Sequence, residues 1–91
     1  MTTDQILDIV VKVNEPVTKL IGEIKQNQET TQSLKDDNRV RFVFALIKNH
    51  RERVYEILSK LDDVSVEEVK NRDIKINIQA LTRLVELKDF F

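Results

Sequence analysis

The chain has 91 residues, with 15 Lys and Arg against 16 Asp and Glu for a net charge of −1, no cysteine, one His, one Gly and one Pro. Without cysteine there is no disulfide framework and no thiolate-held zinc or iron–sulfur site, and a lone His cannot supply the imidazoles of an ordinary metal centre. A phosphate-cradling loop needs glycines in tight turns, so Gly22 alone excludes the nucleotide-binding motifs of that kind.

A chain of this length makes one domain, residues 1–91, and folding buries only about 60–65% of its surface. Scarce Gly and Pro with plentiful Leu, Ile, Lys, Glu and Gln favour helix. The expected class is all-α: a small bundle of four or five helices with one long central helix. Residues 1–38 read as an N-terminal arm and 39–91 as the helical core. The N-terminus is acidic where a secretory signal is basic, and no apolar run approaches the ~20 residues of a membrane span. The expectation is a cytoplasmic chain with no membrane contact.

In chain order, Thr2 with Gln5 forms a capping box for the first helix. Ile6, Ile9, Val10, Val13, Val17, Leu20, Ile21 and Ile24 recur at steps of mostly three or four and give it one apolar stripe. Pro16 removes a backbone donor and crowds the carbonyl of Lys12, so the helix either kinks there or stops and restarts. From Lys25 to Asn38 only Leu34 is apolar, which predicts a solvated helix end or a flexible connection. Asp36, Asp37 and Asn38 are suited to cap the next helix.

Arg39 to Leu61 carries the strongest pattern. Val43, Ile47, His50, Val54, Ile57 and Leu61 alternate steps of four and three, a heptad seam. Its opening R-V-R-F-V-F also alternates like a strand, but no partner strand is evident, so helix is expected. Asp62 and Asp63 end it. Ser65 with Glu68 reads as a second capping box, flanked by Val64 and Val69 as a hydrophobic staple. Asn71 to Asp73 reads as a turn, with Asp73 capping a last helix that turns Ile74, Ile78, Leu81, Leu84 and Val85 inward. Phe90 and Phe91 close the chain.

The chemistry-bearing residues are few. The acidic pairs Asp36–Asp37, Asp62–Asp63 and Glu67–Glu68 are sequence neighbours, pointing about 100° apart on a helix, and do not converge as catalytic carboxylates must. They read as caps and solubilising charge. His50 has no neighbouring motif that supplies an orienting acid or a nucleophile, and reads as a structural or interface histidine. No catalytic residue, metal, cofactor or small-molecule substrate is expected.

Charge is uneven: residues 1–38 carry a net −3, 39–60 a net +4 and 61–91 a net −2. Arg39, Arg41, Lys48, Arg51, Arg53 and Lys60 could form a phosphate-binding strip. The competing reading has the acidic ends packing beside the basic middle, in cis or across a dimer, and is preferred. A helix-turn-helix outline also exists, with Val66–Asn71 as first helix and Asn77–Leu84 as reader, offering Gln79, Thr82 and Arg83.

The stretch Tyr55 to Phe91 resembles the small helical tail assembly chaperones of tailed bacteriophages. The resemblance runs through Ile57, Leu58, Lys60 and Leu61, then Ser65 to Val69, then Ile74 to Phe91. It implies an all-helical protein that self-associates and coats a partner protein before tail assembly. The expected function is therefore non-enzymatic association, with a protein partner and a homo-oligomer, through Val43, Ile47, His50, Val54, Ile57, Phe90 and Phe91. The alternative is a small DNA-binding regulator using Arg39, Arg41, Lys48, Arg51, Arg53, Gln79 and Arg83.

Overall fold

The computed structural model describes residues 2–87. Among them the chain forms six α-helices and no strand: α1 (Thr3–Lys25), α2 (Gln28–Lys35), α3 (Arg39–Asn49), α4 (Arg51–Asp62), α5 (Val66–Asn71) and α6 (Ile74–Glu86). The all-α expectation holds. The helix count is six because the region 25–38 contains a helix of its own and the long central helix is broken at His50.

Most helix starts follow from local chemistry. Thr2 and Gln5 form the reciprocal capping box of α1. Asn27, Asn38, Ser65 and Asp73 each accept a bond from a first-turn amide of α2, α3, α5 and α6. Pro16 does not split α1, which runs through it with the proline ring fully buried. Residues 39–44 are helical, so the alternation there does not mark a strand. Asp63 ends α4 in the left-handed region at φ 55°, a conformation Asp tolerates better than most residues.

Packing brings the N-terminal segment into the body. α1 runs antiparallel to α4, tied at one end by Lys12 Nζ to Asp63 Oδ2 (2.9 Å) and at the other by Arg53 Nε to Glu23 Oε2 (2.8 Å). α2 lies on α3, with Lys48 donating to Glu29 (3.2 Å). Residues 2–38, read from sequence as an arm, thus pack on α3 and α4. α2 holds its place with hydroxyls, since it has almost no apolar surface to bury. Thr31 donates to the Ile24 carbonyl of α1 (2.7 Å) and Thr30 Oγ1 lies 3.0 Å from His50 Nε2, while buried Ser33 is satisfied within α2 by the Glu29 carbonyl (2.9 Å).

The core gathers Val13 and Leu20 of α1, Phe42, Val43 and Leu46 of α3, Val54, Ile57 and Leu58 of α4, Val69 of α5, and Leu81, Leu84 and Val85 of α6. Each fully enclosed Leu or Ile contributes about 1.5–3 kcal/mol. Val64 packs at the edge of this core and Val69 inside it, as a staple requires. The radius of gyration, 12.5 Å, matches the ~12 Å of a closed domain of this length.

Candidate interaction surface

One consequence of this packing is a gap. α1 packs chiefly on α4 and α2, and α6 on α3 and α4; among the described residues α1 and α6 are not a closely packed pair. Between them lies an open groove of about 410 Å³ with almost wholly apolar lining. One wall is Val17, Leu20, Ile21 and Ile24 of α1; the other is Leu81, Leu84 and Val85 of α6; Phe42 and Leu46 of α3 form the floor and Leu34 of α2 closes one end. Ile21 remains 41% exposed and Leu34 40%. Leu84 also borders a second hollow of about 280 Å³ with Ile9, Leu61, Ala80 and Leu87, so apolar surface continues along the gap. Further exposed apolar side chains are Leu7 and Val11 on α1, Val40 and Phe44 on α3, and Ile74 and Ile76 at the start of α6.

The seam residues lie elsewhere. Val43, Val54 and Ile57 are core side chains, 3%, 3% and 0% exposed, and burial inside the subunit withdraws them from any partner surface of this fold. Ile47 is half-buried against the same core. His50 is buried too. Phe90 and Phe91 lie outside the described residues.

His50 sits in a polar cluster that the sequence did not foreshadow. Its Nδ1 is 3.2 Å from Glu23 Oε1 and its Nε2 is 3.0 Å from Thr30 Oγ1. An acid and a hydroxyl therefore flank it after all, brought from 27 and 20 residues away. The order Thr, His, Glu has the connectivity of a hydrolytic triad. Thr30 is fully buried, however, and its hydroxyl also donates to Asn27 Oδ1 (2.9 Å), so no incoming carbonyl reaches that oxygen. Burial alone would raise the Glu23 carboxyl, but its bonds to Arg53 and His50 outweigh this and hold it below the ordinary carboxylate value. The same bond to Glu23 raises Arg53. Glu29 is lowered by Asn49 and Lys48, which donate to its two oxygens.

The basic strip is largely neutralised in cis. Arg39 binds Glu86 (3.2 Å), Arg41 binds Asp36, Lys48 binds Glu29, and Arg53 binds Glu23 and Glu56. Arg51 is exposed at the start of α4. On α6, Gln79 and Arg83 are exposed one turn apart, while the Thr82 hydroxyl donates to its own helix at Ile78 (2.7 Å). The turn between α5 and α6 is held by Asn77, which donates to the Val69 carbonyl (2.9 Å) and accepts from Arg72 (2.6 Å).

The groove residues of α1 were legible as a stripe, yet nothing in the sequence assigned their uncovered side. A signal was present: the stripe holds more positions than one neighbouring helix can cover. Among the described residues no helix is long and apolar enough to cross a membrane, and no three His, Asp or Glu side chains converge as metal ligands. Comparison with family models, curated proteins and solved structures finds no match for the chain.

Proposed function

We propose that this chain is a protein–protein association module that works without catalysis and whose contact surface is the groove between α1 and α6. The observation that carries the reading is the groove's lining: aliphatic side chains and Phe42 turn into a space that no other described residue of the subunit fills. Contiguous apolar surface of this kind is costly to leave in water and marks interaction sites in small soluble domains. In its more specific form, resting on the resemblance of residues 55–91, the module is an assembly chaperone that self-associates and covers a segment of another protein. The in-cis pairing of Arg39, Arg41, Lys48 and Arg53 favours this over the DNA-binding reading, because those cations already have carboxylate partners.

Light scattering over a concentration series tests it, with anilinonaphthalene sulfonate fluorescence read in parallel. The wild-type mass is expected to rise above monomer with concentration and the dye to brighten at low concentration. Ile21→Glu combined with Leu34→Glu is expected to abolish both while the helical circular dichroism stays. A wild-type chain that remains monomeric throughout and leaves the dye dark overturns the proposal.

A further inference from the structure

The break at His50 has no local cause. Lys48 to Glu52 contains no Gly or Pro, and the heptad seam passes through it in register. Five of the six helices begin on a side chain that caps a first-turn amide; α4 begins on His50 with no such bond. The backbone ladder reaches His50, whose amide bonds to the Leu46 carbonyl (2.9 Å), and resumes with Val54 to the His50 carbonyl (2.9 Å). Between them the amides of Arg51, Glu52 and Arg53 open a new helix and lack intrahelical partners. One residue, His50 at φ −133° and ψ 36°, makes the difference.

What holds the break is tertiary. His50 bonds to Glu23 of α1 and Thr30 of α2, and Asn49 donates to Glu29 (2.8 Å). The bend brings both ends of the segment to the last turns of α6: Arg39 binds Glu86, and Leu61 borders a hollow with Leu84 and Leu87. A continuous helix from Arg39 to Leu61 would be about 33 Å long. The residues that the two ends meet, Leu84 to Leu87, lie within one turn of each other, so the straight form cannot keep both contacts.

We infer that residues 39–62 are a two-state element, bent at His50 in this fold and able to become one continuous helix when the contacts from α1 and α2 are released. The bent state is stabilised by those polar bonds together with the core that Val43 and Leu46 of α3 share with Val54, Ile57 and Leu58 of α4, and the straight state regains the three backbone bonds lost at the break. The inference concerns the helix itself and does not depend on the groove or its occupant.

The absence of cysteine allows a direct test. Spin labels placed through Val40→Cys and Lys60→Cys, both exposed positions, report the end-to-end distance by pulsed electron resonance. The otherwise wild-type chain is expected to give one short distance. Adding His50→Ala, or Glu23→Gln with Thr30→Val, is expected to shift a population toward about 30 Å, the length of twenty residues of straight helix. Ellipticity at 222 nm should hold or rise. If both variants stay folded and keep only the short distance, the bend needs no polar clamp and the inference fails. It also fails if both lose helical signal and give a broad distribution, since the contacts then hold the fold and not the bend.

Discussion

The two sides of α1 face different fates with the same kind of residue. On one side Val13 and Pro16 are fully enclosed in the body, and the helix is tied to α4 by Lys12–Asp63 and Glu23–Arg53. Toward α6 it presents Val17, Ile21 and Ile24 to an open groove. Periodicity puts apolar residues on both sides, but only the first meets a helix along its length. Whether an aliphatic stripe becomes core or surface is therefore decided by how the other helices are placed. α6 is held by α3 and α4, and no described residue fills the groove between it and α1. The closed side supplies stability; on the proposed reading the open side is the surface offered to a partner.

Truncation should separate the two most sharply. Ile57→Ala, in the closed core opposite, removes a fully enclosed side chain and is expected to cost about 3 kcal/mol in urea unfolding. Ile21→Ala in the groove should cost about 1 kcal/mol or less, because much of that side chain is already in water. Equal costs would mean that the groove is closed in solution.

The polar tie between α1 and α4 gives a smaller effect with a definite pH sign. Glu23→Gln is expected to cost about 1 kcal/mol, since Glu23 is partly exposed and solvent screens its bonds. Glu23, Glu29 and Glu15 all titrate below the ordinary 4.5 in the fold. A lowered carboxylate adds stability that is fully present above the unfolded value and is lost as pH falls through the folded one. Acid unfolding should accordingly set in below about pH 4.5, and Glu23→Gln should shallow that slope; a slope unchanged by the substitution would remove Glu23 from the account.

Ser65→Ala, away from both faces, should cost about 1 kcal/mol through loss of the α5 cap and leave association unchanged. Asp63→Asn should be smallest, within about 0.5 kcal/mol: the side chain keeps a residue type suited to positive φ and loses only an exposed ion pair with Lys12. A large loss on thermal melting would show that this pair anchors α1 far more than its exposure implies.

The same contrast explains what the sequence could and could not reveal. Caps are local, so Thr2, Asn38, Ser65 and Asp73 announced α1, α3, α5 and α6 at the residues where they begin. α2 was hidden because Thr30 and Ser33 are buried on hydroxyl bonds and not on apolar area, which hydrophobic periodicity does not register. The break at His50 was hidden because its cause lies on α1 and α2. The seam misled for a related reason: Val43, Val54 and Ile57 do line one face, but the chain folds its own helices over them. The groove was out of reach because it depends on a spacing between helices that no single segment encodes.

The central claim is that the α6-facing side of α1 is open in the lone subunit and covered on association. Thiol labelling of Ile21→Cys, with Val13→Cys as the closed reference, reads this directly. The thiol at position 21 is expected to react rapidly in dilute solution and more slowly as protein concentration rises, while that at position 13 reacts only as fast as the protein unfolds. Reaction at position 21 as slow as at position 13, or rapid at every concentration, would contradict it.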